Sequence, residues 1–218
     1  MKKMIFILSL FVLCIQFSAF AQKSRAGMFA GSLFSTMRGT VNSKKLDVDA
    51  KIGFIAGILV DAPLKNHFSF QPALYYVQKG AVTQQPLESI QKPKITTELR
   101  YAELALNMVY NTNGAKANLY FGAGPSISFN LPSSFVTKSA DNIRSRQNIV
   151  FGNTGPENFR GVDFGANLLA GYRFKGGVFI AANYSLGLRN LIPEGSLSIG
   201  DTKNSYVGLS LGWLVKNK

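Results

Sequence analysis

Apolar residues alternate with small or polar ones in run after run of this chain, and almost no segment shows the 3.6-residue period of a helix. Val162, Phe164, Ala166, Leu168, Ala170, Tyr172 and Phe174 share one face, opposite Asp163, Gly165, Asn167, Gly171 and Arg173. Leu119, Phe121, Ala123, Pro125, Ile127 and Phe129 likewise oppose Tyr120, Gly122, Gly124, Ser126, Ser128 and Asn130. Val207, Leu209, Leu211, Trp213 and Val215 oppose Gly208, Ser210 and Gly212, and Val178, Ile180, Ala182, Tyr184, Leu186 and Leu188 oppose Asn183, Ser185, Gly187 and Arg189. Less regular runs set Lys51 and Asp61, Lys79, and Glu103 on the second face of three further segments. The opening run, 26–37, carries Gly and Ser on both faces, so its faces stay unassigned. The pattern predicts eight strands at 25–37, 48–62, 67–80, 96–112, 115–131, 160–174, 178–190 and 203–216.

Connections between these strands alternate in length. Short ones centre on Pro63-Leu64-Lys65-Asn66, Asn113-Gly114 and Lys175-Gly176-Gly177; long ones cover 38–47, 81–95, 132–159 and 191–202. Short turns at one end and long loops at the other are the layout of a membrane barrel. A two-residue turn at Asn113-Gly114 would pair 112 with 115 and set Glu103 opposite Gly124. A three-residue turn at 175–177 would pair Phe174 with Val178 and set Asp163 opposite Arg189, which predicts an inward ion pair between them.

Alternation alone does not separate a lipocalin, apolar inside, from a membrane barrel, apolar outside. The second face decides the preference: it is mostly Gly, Ala, Ser and Asn, a poor solvent surface but a good filling for a narrow eight-stranded barrel. The apolar face carries no Lys, Arg, Asp or Glu in the seven assignable strands, as lipid contact requires. Phe68, Tyr110, Tyr172, Phe174 and Trp213 fall near the short-turn ends, where an interfacial girdle belongs. The expected fold is an all-β, eight-stranded, antiparallel up-and-down transmembrane β-barrel. Glu103, Asp163, Arg173, Arg189 and Lys51 then face the interior as a polar network whose charges need partners.

Residues 1–21 read as a cleaved signal peptide: Lys2 and Lys3, an apolar run from Ile5 to Ile15, then Ala19-Phe20-Ala21. That run is too short to span a bilayer as a helix. Its loss removes Cys14, the single Cys, and leaves residues 22–218 as one barrel domain addressed to a bacterial outer membrane.

The strand residues resemble a PorT-type outer-membrane β-barrel family of Bacteroidetes. The likeness runs through Ala26-Gly27-Met28-Phe29-Ala30-Gly31, Gln71-Pro72-Ala73-Leu74-Tyr75-Tyr76 with Lys79-Gly80, Tyr101-Ala102-Glu103-Leu104, Phe121-Gly122-Ala123-Gly124-Pro125 and Tyr184-Ser185-Leu186-Gly187-Leu188. Ala105 stands where that family often has Pro. The resemblance implies an integral outer-membrane barrel, assembled by the barrel assembly machinery and associated with secretion-system components.

Chemistry for catalysis is sparse. One His and one Cys leave little for His-based hydrolysis or a zinc site, and no Gly-Lys-Ser/Thr phosphate loop opens a helix. His67 lies beside a short turn with no acidic neighbour in sequence. No catalytic, cofactor or metal residue is therefore assigned. The 24 Lys+Arg against 11 Asp+Glu are spread over several loops, which disfavours nucleic acid and suits outer-membrane lipid and lipopolysaccharide phosphates. Lys44, Lys45, Lys138, Arg144 and Arg146 are the candidate contacts, with Lys92, Lys94 and Arg160 beside them. The expected function is a non-enzymatic structural or interaction role at the cell surface. A soluble lipocalin-like carrier and a small lipid-modifying barrel enzyme are the alternatives.

Overall fold

The computed structural model describes residues 24–41, 44–45, 47–84, 94–112, 119–138, 143–154, 158–195 and 200–215. Residues 1–21, which the sequence reading assigns to a signal peptide, the Asn113-Gly114 dipeptide and Lys92 lie outside them. Eight long strands form the wall: β1 Arg25–Val41, β3 Asp49–Pro63, β4 Phe68–Gln84, β5 Lys94–Asn111, β6 Leu119–Lys138, β8 Val162–Arg173, β9 Val178–Gly187 and β10 Gly200–Leu214. Two short strands, β2 Lys44–Lys45 and β7 Arg144–Asn148, attach to β1 and β6 at the loop end. Each wall strand pairs antiparallel with its neighbour in sequence, and β1 also pairs with β10 from Gly27↔Leu214 to Val41↔Gly200. The sheet therefore closes on itself, and no wall strand keeps a bare edge in hydrocarbon, where an unpaired amide or carbonyl would be costly.

The alternation predicted from sequence is the in/out alternation of this wall. Met28, Phe34, Ile52, Ile58, Leu74, Leu168, Leu209 and Leu211 each keep more than half of their surface exposed on the outside. Such a belt would be unstable in water, and it overturns the lipocalin alternative. Register also settles the faces of β1. Leu33 opposes Gly208 and points inward, while Met28 opposes Trp213 and points outward.

The interior departs from the expected lining of small polar residues. Tyr75, Tyr101, Tyr120, Tyr206 and Phe179 are buried there with Leu33, Ile55, Leu59, Val77 and Val109. Glycines make room for them: a Cβ at Gly171 would strike the Tyr120 ring, and one at Gly212 the Phe179 ring. Large and small inward residues on adjacent strands thus interlock as in a solid core.

At the turn end, β3 and β4 join through a tight turn with Asn66 in the left-handed region (φ 60) and Leu64 N donating to Phe68 O at 2.8 Å. The β8–β9 turn closes as expected, with Phe174 N donating to Val178 O at 2.8 Å and Gly177 at φ 90. The β5–β6 turn does not. Its last backbone bond runs from Thr112 N to Leu119 O, so the loop is longer than Asn113-Gly114 and Glu103 faces Ser128 rather than Gly124. The displacement is an even number of residues, so inward positions stay inward.

The loop end is lopsided. β5 and β6, at 18 and 20 residues, run far beyond the ~9–11 that span a bilayer, whereas β9 has only 10. Residues 81–84 and 94–95 of the predicted 81–95 loop, and 132–138 and 144–148 of the predicted 132–159 loop, are therefore strand. Segments 149–151 and 191–193 fold back over the mouth: Leu191 is fully buried, and Phe151 bridges to Phe159, whose ring meets Phe135.

Candidate functional site

The charges sort into two buried clusters inside the barrel and a set of cations on its outer rim. The upper interior cluster is built by register. Tyr75 opposes Glu103, Glu103 opposes Ser128, and Ser128 opposes Asp163, a row of four inward residues on β4, β5, β6 and β8. All four are buried. Tyr75 Oη donates to Glu103 Oε1 at 2.6 Å, and Ser128 Oγ donates to Oε2 at 2.7 Å. Lys79, nearer the loop end of β4, places its Nζ 2.7 Å from the same Oε2. The ammonium also lies 5.3 and 5.5 Å from the Tyr101 and Tyr206 ring centres. Glu103 has no exposed surface, yet it holds a cation and two hydroxyl donors, the condition under which a buried charge is tolerated.

Asp163, the other acid of this row, is 1% exposed and joins no ion pair among the described residues. It approaches Asn204 and feels the field of Lys79, but neither carboxylate oxygen completes a hydrogen bond. The expected Asp163–Arg189 pair is not formed. The β8–β9 ladder ends with Gly165↔Gly187 and the bond from Leu188 N to Phe164 O, so alternation no longer dictates where Arg189 points. Arg189 turns to the rim, where Nη1 donates to Val162 O at 3.0 Å and the guanidinium lies over the Phe164 ring.

The lower cluster was not foreseen as a unit. Asp61, fully buried, takes Arg25 at 2.6 Å and Arg173 at 3.4 Å, and Arg173 lies over the Tyr120 ring. Its signal was partly present, since Asp61 and Arg173 already sat on inward faces. Arg25 stood at a strand boundary with no face assigned, and only the β1–β3 pairing of Arg25 with Asp61 joins them. Lys79 was placed inward too, but its contact with Glu103 crosses the ladder diagonally and depends on strand tilt.

Between the clusters lies an internal cavity of about 50 Å³, bordered by Tyr120, Asn167, Phe179, Asn183 and Ser210. That volume accommodates a few waters rather than a ligand or a continuous channel. Among the described residues, no group of His, Cys, Asp or Glu is arranged to hold a metal ion. His67 is exposed at the turn end, its ring 5.7 Å from that of Tyr110.

The rim cations predicted from sequence do not form one surface. Lys44 and Lys45 lie on β2, against β1. Lys138 and Arg144 oppose one another in the β6–β7 hairpin, with Arg146 opposite Val136. Lys138 also opposes Lys94 of β5. Arg160 is held apart by Glu194, 3.0 Å away. Girdle aromatics gather at the other end: Phe68 on Tyr110, Tyr172 on Phe174, and Trp213, whose Nε1 donates to Gly176 O.

A family model described as outer membrane protein beta-barrel domain matches residues 20–193. No curated protein matches the chain. Among solved structures, it is similar to Ail, the attachment invasion locus protein of Yersinia pestis, in complex with the heparin analogue sucrose octasulfate. That match has 13% identity and a TM-score of 0.45, covering 88% of this chain and 99% of that one. It is also similar to the outer membrane protein OprG from Pseudomonas aeruginosa, at 8% identity and a TM-score of 0.46 over 90% and 98% of the two chains. Neisserial surface protein A gives 12% identity and a TM-score of 0.41 over 88% and 97%. With that family model matching most of its length, the chain belongs to the outer membrane protein beta-barrel domain family.

Proposed function

We propose that this outer-membrane barrel is not an enzyme and serves as a closed anchor for an interaction surface at its loop end. One observation carries the reading: the axis is filled through its height by interlocked aromatics, the Lys79–Glu103 pair and the Arg25–Asp61–Arg173 cluster. Nothing the size of a solute passes such an interior, and the exposed His67 sits at the turn end with a tyrosine ring as its neighbour. Contacts with the surroundings then fall to the outer lipid leaflet and to the loops. Purified protein refolded into planar bilayers should show no stepwise conductance, and incubation with outer-membrane lipids should yield no deacylated or acyl-transferred product. A stable channel or a modified lipid would overturn the proposal.

A place beside a protein-secretion apparatus, as the PorT-type resemblance implies, is a narrower reading that rests on the strand motifs alone. Cross-linking in intact envelopes tests it. Recovery of secretion components would sustain that role, and recovery of only lipid and assembly machinery would remove it.

A further inference from the structure

The outer half of β5 and β6, together with β7, forms a sheet that continues the wall above the apolar belt. Its charges all lie on one side. Outward positions on β5 run from the apolar Tyr110, Met108, Leu106, Leu104 and Ala102 to Arg100, Glu98, Thr96 and Lys94. On β6 a bulge between Leu131 and Ser134 inserts a residue and reverses parity, which turns Val136 and Lys138 outward. β7 adds Arg144 and Arg146 to that same face, opposite Lys138 and Val136. The other face carries Ile95, Thr97, Leu99, Phe135, Thr137, Ser145 and Gln147, without a single charge.

Among the described residues, five cations thus share the outward face with one carboxylate, Glu98, which Arg100 and Arg146 approach at 3.3 and 3.9 Å. Lys94, Lys138 and Arg144 occupy directly opposed positions on three neighbouring strands. At ~4.8 Å between strands the row spans about 10 Å. Like charges in opposed positions repel, so an external anion bound along the row would relieve that repulsion. Its place narrows the choice of anion. Arg100 is the first outward residue past the belt, level with headgroups, and Lys94 stands about 20 Å farther along the strand. Elsewhere on the rim, Lys203 is paired with Asp201 at 3.1 Å and Arg160 with Glu194.

We propose that this outward face of β5–β6–β7 is a docking stripe for a phosphorylated glycolipid of the outer leaflet. Arg100 and Arg146 take a phosphate at the membrane surface, and the Lys94–Lys138–Arg144 row takes further phosphate above it. The inference rests on the closed-anchor reading and names the partner of its loop end.

Purified barrel in neutral detergent, titrated with lipid A and with dephosphorylated lipid A and followed by native mass spectrometry, tests it. Preferential binding of the phosphorylated form, weakened by salt, is expected. Replacing Lys94, Arg100, Lys138, Arg144 and Arg146 by Gln should weaken that binding at least about tenfold. Replacing Arg38, which opposes Lys203 across the β1–β10 seam, together with Lys45 and Lys203 should change it less than about twofold. A heat-dependent gel shift verifies that each variant is folded. Equal binding of the dephosphorylated lipid, equal loss in the second variant, or displacement by a soluble sulfated polysaccharide at the same concentration as lipid A would each overturn the stripe. In that case a non-conducting, catalytically inert barrel leaves the closed-anchor reading intact.

Discussion

The two interior clusters solve one electrostatic problem with opposite remainders. Near the turn end a single carboxylate, Asp61, serves two guanidinium groups, Arg25 and Arg173. Toward the loop end one ammonium, Lys79, faces two carboxylates, Glu103 at 2.7 Å and Asp163 without a direct bond. The lower cluster has an outlet, because the Arg25 side chain is 20% exposed and can share its surplus charge with water. The upper one has none: Lys79, Glu103 and Asp163 are 2%, 0% and 1% exposed. Polar satisfaction in the upper barrel therefore rests on Lys79 and on a layer of hydroxyls, whereas solvent assists the lower barrel.

The largest expected effect is on the upper cluster. Lys79→Met strips the cation from two buried carboxylates and should cost about 3–5 kcal/mol in urea unfolding of the folded barrel. Adding Glu103→Leu should recover most of that loss, since an apolar pair of similar volume suits a buried site. A double variant no better than Lys79→Met would show that Glu103 is not its main partner. Arg25→Gln in the lower cluster should cost less, about 1–2 kcal/mol, because Asp61 keeps Arg173 and Arg25 is partly exposed. An equal or larger loss there would erase the contrast between the two clusters.

Packing between them gives the next effect. Gly171→Ala drives a methyl into the Tyr120 ring that stacks under Arg173 and should cost about 1–3 kcal/mol. The smallest change is expected at Asp163. Asp163→Asn removes a charge that has no partner of its own and should shift stability by less than about 1 kcal/mol, in either direction. Combined with Arg189→Glu, its effect should add within about 0.5 kcal/mol, as for residues that do not touch. Strong coupling would restore the ion pair that the sequence suggested.

What could be read from the sequence was whatever depends on parity. Eight strands, the faces of seven of them and the inward placement of Lys51, Glu103, Asp163 and Arg173 follow from a period of two, and an error of four residues at the β5–β6 turn left every assigned face unchanged. What depends on absolute register stayed hidden. Ser128 rather than Gly124 faces Glu103 because the turn is long, and no local residue announces its length. Tyr75 shares the parity of Lys79, so its inward face follows from the pattern, but its bond to Glu103 does not, since that contact depends on the β4–β5 register. The rim cations were visible as residues but not as a surface, since β7 and the β6 bulge that gather them follow from pairing rather than from composition.

The seam between β1 and β10 has a kinetic consequence. The first strand to be synthesised must wait for the last before its outer row of amides and carbonyls finds a partner, so every closing contact is as distant in sequence as this domain permits. Until that seam zips shut the molecule is a curled ribbon with two sticky margins, and holding those margins apart from other ribbons is a task for chaperones in transit.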